Sequence, residues 1–499
     1  MQDEAYQTTD FIGGHWLEGD GEPREIIDPA TGEAFVAVRD ATIEQAHSAV
    51  VAAKRAGARW AGRTTVERAA VMRRVADLVR RDAETLASLV VREQGKPISE
   101  ARGEVAGAAG FFDYFAEFAR RIRGDILPSD VPGEQICIQR VPVGIVAGII
   151  PWNYPAALVS RKVAPAMIAG DTIVIKPHEM TPLSALHMAT LLEEAGVPSG
   201  VVNVVTGDGP SVGAALASCD DVALISMTGS VRAGKQIMRS AADNLTQPSL
   251  ELGGKAPFIV LENADLEFAV RSAVTSRFMN CGQVCICNER TLVAQPIFDE
   301  FLERYVELTR TLRVGHPMQE TTDIGPKVSL PELKKVEAPV DGAIERGARP
   351  ALRGGRPDEP PTVGGYWMTP TVLVDVPQVD QIMQSEVFGP VVPVVPFADF
   401  DEAVTVANSS RYGLSAYDFT NDFTKEMDTV TDIDFGEVYV NRIGPESFQG
   451  FHTGYRQSGI GGDDGEFGLD AYLRNMSVYD NYARHPVGAQ MPYGKAAAE

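Results

Sequence analysis

Alternation between residues 171 and 242 is the strongest constraint on the fold. The runs DTIVIKP (171–177), GVVNVV (200–205) and DVALISM (221–227) read as short buried strands. Helical stretches separate them. One starts at Thr181-Pro182, with Thr as N-cap and Pro at the first helical position, and runs to Glu194. A second is GPSVGAALA (209–217), and a third begins near Val231. Strands alternating with helices form a parallel sheet with crossover connections. Ligands of such sheets sit beyond the carboxyl ends of the strands, where KPHE, TGDGP and TGS stand. This half is therefore expected to be a Rossmann-like cofactor domain.

A second alternating series begins near Lys255, with APFIVL, RTLVAQ, TVLVDV, VVPVVPF and FGEVYVN as strands. The expected fold class is α/β: a Rossmann-like parallel-sheet domain, an α/β catalytic domain and a small β arm. Residues 43–122 read as long amphipathic helices. GEQICIQRVPV (133–143) and YLRNMSVYD (472–480) alternate like strands, although they are distant in sequence. A projecting two-stranded oligomerisation arm accounts for both. The expected division is 1–127 and 149–254 for the cofactor domain, 255–456 for the catalytic domain, and 128–148 with 470–499 for the arm and the C-terminal tail.

With 499 residues, 44% of them hydrophobic, the chain is long enough for two or three packed domains. A net charge of −23 argues against a nucleic-acid partner, which needs a basic patch. The acidic N-terminus lacks the apolar segment of a signal peptide. The longest apolar run, 141–157, is broken by Pro142, Pro151 and Pro155 and is too short to span a bilayer. The 5 cysteines, odd in number and unevenly spaced, fit free thiols in a reducing, cytoplasmic setting.

Gly207, Gly209 and Gly213 form GxGxxxG, one residue longer than the dinucleotide fingerprint. A second strand–turn–helix passage runs through Gly229 and Gly234. Glycine admits a pyrophosphate close to the backbone, and a helix N-terminus supplies free N–H groups. Lys176 is placed to bond a ribose hydroxyl. A carboxylate at Glu179 would accept from a 2′-OH and repel a 2′-phosphate, which favours NAD over NADP; it would equally suit a helix start.

Three cysteines crowd FMNCGQVCICNER (278–290): Cys281, Cys285 and Cys287. Their spacing matches no common zinc site and no His lies nearby, so no metal is expected there. Two readings stay open, small buried core residues or a nucleophile at Cys285. The Asn, Gln and Gly residues around Cys285 suit an accessible turn. Upstream, Glu251 lies between Leu250 and Leu252, where a carboxyl is raised in pKa and can act as a base. Asn153, just after a buried strand, carries an amide that can donate to an oxyanion.

PWNYP, IKPHEMTP, MTGS, LELGGK, FMNCGQVC, QSEVFGPV and SGIGG occur here in the order and spacing of the aldehyde dehydrogenase superfamily, and the chain resembles it from FIGGHW to SVYD. The resemblance implies that Cys285 attacks an aldehyde and that Asn153 and the Cys285 N–H hold the oxyanion. Hydride then leaves for a nicotinamide, and Glu251, directly or through water, hydrolyses the thioester. It places Trp152, Lys176, Glu179, Gly209 and Ser230 on the adenosine and pyrophosphate side of NAD, and Glu386 and Phe388 at the nicotinamide end.

In NRIGPESFQGFHTGYRQSGIGG (441–462), Phe451, His452 and Thr453 replace the Pro, Phe and Gly of the family's usual PFGGxKxSG, and Arg456 replaces its Lys. This segment is similar to that of lactaldehyde/glycolaldehyde dehydrogenases. Arg161, Glu446 and His452 are then expected to face a small 2-hydroxyaldehyde. The rival substrate is an anionic semialdehyde held by Arg161 and His452. Asp463 stands where the family usually has Glu, which puts proton handling in doubt, and Ile286 with Cys287 is expected to narrow the pocket. A non-catalytic relative would be expected to lose Cys285, Glu251 or Asn153, and a CoA-acylating enzyme would lack Glu251. A homodimer or homotetramer is expected.

Overall fold

The computed structural model describes residues 6–483. Its largest sheet has eight strands. Val202–Val204, Thr172–Lys176, Ile145–Ile149, Leu224–Thr228 and Gln247–Glu251 run parallel in that spatial order. Asp10–Ile12 and His15–Leu17 extend one side of the sheet antiparallel, and Gly459–Ile460 closes the other against Gln247–Glu251. The central strands are buried along their whole length, as strands covered by helices on both faces must be. Four helices, Ile43–Ala61, Thr65–Arg81, Ala83–Gln94 and Ile98–Ala116, supply much of the cover. Reciprocal capping boxes at Thr42/Gln45 and Thr64/Glu67 start the first two.

A second, seven-stranded sheet runs Arg349–Leu352, Thr371–Val374, Val391–Phe397, Asn288–Ala294, Ala256–Val260, Ser415–Phe419, Glu437–Val440, parallel except for its first strand. The two strands that the sequence pattern did not announce are Arg349–Leu352 and Ser415–Phe419. The second, SAYDF, is fully buried yet carries Asp418 and lacks an apolar run.

The arm has three strands rather than the expected two. Leu473–Asn481 pairs with Glu134–Pro142 over nine positions, and Asp125–Pro128 adds to the far side of Glu134–Pro142. The expected boundary at 149 also falls in the wrong place, since Ile145–Ile149 is the central strand of the large sheet. The tail beyond Ala483 lies outside the described residues. Ile126 and Tyr479 of the arm are 73% and 66% exposed. Among the described residues no helix is long and apolar enough to cross a membrane.

One helix start differs from its sequence signal. Helix Leu183–Glu194 has Pro182, not Thr181, as its cap residue, and the Thr181 hydroxyl finds no partner. The buried Glu93 carboxylate accepts instead from the N–H groups of Leu183 and Ser184, at 2.7 and 3.0 Å. A tertiary carboxylate thus replaces the local cap, at the positive end of the helix.

Candidate active site

Within 280–294, every residue is buried except Cys285. Burial pushes the thiols of Cys281 and Cys287 up to about 11 and about 12, so both stay protonated and inert near neutral pH. The polar residues of this stretch do not form an accessible turn, as their composition had implied. Asn280, Gln283 and Asn288 are wholly buried. Asn280, Cys281 and Gly282 have φ of 48°, 55° and 69°, a left-handed run that two non-glycine residues adopt only under tertiary constraint.

That constraint is a buried hydrogen-bond network. Glu100 accepts from the Asn280 N–H at 2.9 Å, and the Gln94 amide donates to Asn280 Oδ1 at 2.9 Å. Asn280 Nδ2 donates to the Asn153 carbonyl at 3.1 Å, and Gln283 Nε2 donates to the Asn280 carbonyl at 3.0 Å. The Lys96 ammonium also donates to the Asn153 carbonyl, at 2.8 Å, and pairs with Glu104. Glu104 in turn caps helix Pro155–Ala169, accepting from Ala156 and Ala157. The Asn153 side chain donates one N–H to the Gln283 carbonyl at 3.0 Å. Its amide has a second N–H to offer, two residues from Cys285 along the chain that Gln283 belongs to.

Glu251 ends its strand and leads into Gly253 and Gly254. A Cβ on Gly254 would lie 2.6 Å from the Cys285 carbonyl, and one on Gly253 would lie 2.4 Å from Glu386. Only glycine lets these segments touch, and the contact brings the strand end carrying Glu251 against the backbone of Cys285. Glu251 is buried and neither carboxylate oxygen has a hydrogen-bond partner. Burial raises its pKa well above the usual carboxylate range, with His452 the largest opposing influence.

Arg161, Glu446 and His452 come together beside Glu251. The Arg161 guanidinium binds Asp464 and Glu446 and lies over the Phe111 ring. Burial works against the Glu446 carboxylate, but Arg161 and His452 outweigh it and hold it at about 2. His452 Nδ1 is 3.1 Å from Glu437 and 3.8 Å from Glu446, and Nε2 is 3.5 Å from Glu251. Glu437, Glu446 and His452 offer ligand atoms within 4.8 Å of one another, close enough for a metal ion. Glu446, however, already has the Arg161 guanidinium as its cation. Asp463, in place of the usual Glu, pairs with the buried Lys162 at 2.6 Å.

On the other side, the Trp152 and Phe388 rings meet edge to face at 5.4 Å. Phe388 has φ 56°, held by Glu289, which accepts from the N–H groups of Val387 and Phe388 while pairing with Lys255 and Arg277. Glu386 accepts from the Gly254 N–H at 2.9 Å, and burial with neighbouring Glu289 pushes its carboxyl up to about 8. Lys176 donates to the carbonyls of Pro177 and Gly207 and lies 3.8 Å from Glu179. Burial lowers its ammonium to about 8. Ser230 is exposed and caps its own helix through Ala233. Of the glycine turn, Gly207 at φ 124° needs glycine for its backbone. At Gly209 an added Cβ would meet nothing within 4 Å, so the chain itself does not demand glycine there.

The model of the aldehyde dehydrogenase family matches residues 16–478. The chain belongs to that family. A 3,6-anhydro-α-L-galactose dehydrogenase of Streptomyces coelicolor is 45% identical over 95% of this chain and 96% of its own length. The lactaldehyde dehydrogenase of Escherichia coli is 44% identical over 94% of this chain and 98% of its own. A solved structure of 3,6-anhydro-L-galactose dehydrogenase in complex with NAP superposes with a TM-score of 0.93 at 42% identity, covering 95% of this chain and all of that one.

This aldehyde dehydrogenase holds its site with residues that sequence reading passed over: Gln94, Lys96, Glu100, Glu104, Asn280, Gln283, Glu289, Glu437 and Asp464. Buried charges at Lys96, Glu104 and Glu289 carry no local signal, because their partners lie on other elements. Asn280 and Gln283 stood in a stretch that was singled out, but their burial was not legible.

Proposed function

We propose that this aldehyde dehydrogenase oxidises a small, neutral 2-hydroxyaldehyde to its acid with NAD, through a thioester on Cys285. The observation that carries the reading is the selective exposure of Cys285 in an otherwise buried stretch, with Asn153 locked to that stretch. Cys285 Sγ bonds the aldehyde carbon, and the oxyanion takes hydrogen bonds from the free N–H of Asn153 and from the Cys285 backbone. Glu251 activates the water that releases the acid.

The chain's residues fit a nicotinamide dinucleotide. Space in front of Gly209 admits a ligand, the helix start at Ser230 offers positive potential, and Trp152, Phe388 and Glu386 wall the other end. When bound, the nicotinamide takes the hydride that leaves the substrate carbon. Lys176 and Glu179 would hold the ribose. Replacing Glu179 by Ser is expected to raise kcat/KM with NADP by about tenfold or more, because a like charge opposite the 2′-phosphate is removed. Steady-state kinetics with both cofactors check this, and unchanged selectivity would show that Glu179 does not read the ribose.

The charge balance at Arg161 supports a neutral substrate. Asp464 and Glu446 already neutralise the guanidinium, so an anionic semialdehyde finds no free cation, whereas Glu437 and Glu446 offer acceptors to a hydroxyl. Lactaldehyde and 3,6-anhydrogalactose, the compounds in the relatives' names, both carry a hydroxyl beside the aldehyde carbon. In a screen of NADH formation, glycolaldehyde and the lactaldehydes are expected to exceed succinic semialdehyde and benzaldehyde in kcat/KM by about tenfold. The reverse order would refute the substrate class. The product is expected to be the free acid, formed without CoA. We read 255–456 as the catalytic domain, the exposed arm as the contact that builds a homodimer or homotetramer, and the cytoplasm as the location.

A further inference from the structure

His452 Nε2 lies 3.5 Å from a Glu251 carboxylate whose oxygens have no hydrogen-bond partner, while Nδ1 faces Glu437 at 3.1 Å. The imidazole is 2% exposed. Its approach to Glu251 is built into the backbone. Gly459–Ile460 pairs with the end of the strand that carries Glu251, and His452–Thr453 pairs with Gly462–Asp463 a few residues on. Ser458 fastens the same segment, donating to the Gly253 carbonyl at 2.8 Å. The backbone that carries the ring therefore cannot move away from the Glu251 strand without opening two strand pairs.

A neutral imidazole has one N–H, and here both nitrogens face carboxyl oxygens; with Glu251 and Glu437 both ionised, as hydrolysis requires of Glu251, only the imidazolium satisfies both. The charged groups facing it are Glu251 at the strand end, Glu437 on Glu437–Val440, Glu446 in the following loop, and Arg161 on helix Pro155–Ala169, which is shared with Asp464. Three carboxylates against one guanidinium favour the charged ring. Burial alone would lower the His452 pKa, but Glu437 and Glu446 reverse it to well above the ordinary value.

We propose that His452 is the positioning residue of the water-activating carboxylate, holding Glu251 through Nε2–H and keeping it ionised for hydrolysis of the thioester. The inference rests on the role proposed above for Glu251. In that step a water O–H bond breaks and its proton passes to Glu251. The water oxygen bonds the thioester carbon, and collapse breaks the C–S bond to release the acid and the Cys285 thiolate. The step requires an unprotonated Glu251. Its burial and the nearby Asp463 oppose that state, Lys162 and Arg161 favour it more weakly, and His452 is the strongest charge that favours it.

The sign for pH follows. Removing the imidazolium raises the pKa of Glu251, so the acid limb of the kcat profile moves to higher pH. His452→Phe keeps a ring of similar size without N–H groups. It is expected to lower kcat about tenfold or more near neutral pH, to shift the acid limb upward by at least about one unit, and to expose a pre-steady-state NADH burst of about one per site, since acylation outruns hydrolysis. Glu437→Gln, which weakens the charge holding the other side of the ring, is expected to shift the limb in the same direction by less, and it keeps the test alive if His452→Phe folds poorly. A rise in KM with kcat, limb and burst unchanged would overturn the proposal and leave His452 a substrate contact. An unshifted limb in folded Glu437→Gln would also overturn it. Failure of the parent reading looks different: a Glu251→Gln protein would turn over at the parental rate without an NADH burst.

Discussion

Cys285→Ala is expected to fold normally and to lose aldehyde oxidation by a factor on the order of 10⁴ or more, the scale seen when a nucleophile is removed from a working site. Its side chain is partly buried and packs at the margin of the apolar cluster of Val284, Ile286, Cys287 and Leu414. Losing one sulfur there costs little stability. Neither neighbouring thiol can stand in. Cys281 and Cys287 are 1% exposed, and with thiols raised to about 11 and about 12 they carry almost no thiolate at neutral pH. NADH formation under saturating substrate, together with a thermal melt, is the measurement. Parental activity in the folded variant would remove the basis of the proposed mechanism.

Asn153→Ala is expected to lower kcat by about 10²–10³-fold with a smaller change in KM, the cost of one oxyanion donor. The selectivity for kcat arises because the second amide N–H meets full negative charge only once the carbonyl has become tetrahedral. The substitution leaves the Asn153 carbonyl in place, so Lys96 and Asn280 keep their acceptor and the loop keeps its course. Only the Gln283 carbonyl loses a donor. Asn153→Asp, of the same shape but charged, is expected to be worse, since it repels the oxyanion. A rise in KM with kcat unchanged in Asn153→Ala, or a wild-type kcat in Asn153→Asp, would contradict an oxyanion role.

The helix start at 183 and the strand at 415 show where sequence reading stopped. Thr181-Pro182 carries a sound local signal, yet Glu93, ninety residues away in the chain, supplies the stronger acceptor to the Leu183 N–H. Ser415–Phe419 pairs with neighbours on both sides and is buried. It therefore had no polar–apolar alternation to display, and Asp418 hid its apolar character. The cysteine stretch was legible as a special place but not as a left-handed turn locked by Gln94, Glu100 and Gln283. Arg161, Glu446 and His452 were named one by one from the chain, while their pairing with Asp464, Glu437 and Glu251 was not.

By itself the sequence determined most of the elements, the parallel character of both sheets and the family, because strand period, turn glycines and short motifs act over a few residues. Tertiary structure alone decided which thiol reaches solvent, how the charge on Arg161 is neutralised, and which cation stands beside Glu251. Those outcomes depend on desolvation and on charges brought within a few ångströms by sheet edges far apart in the chain, and no local pattern records either.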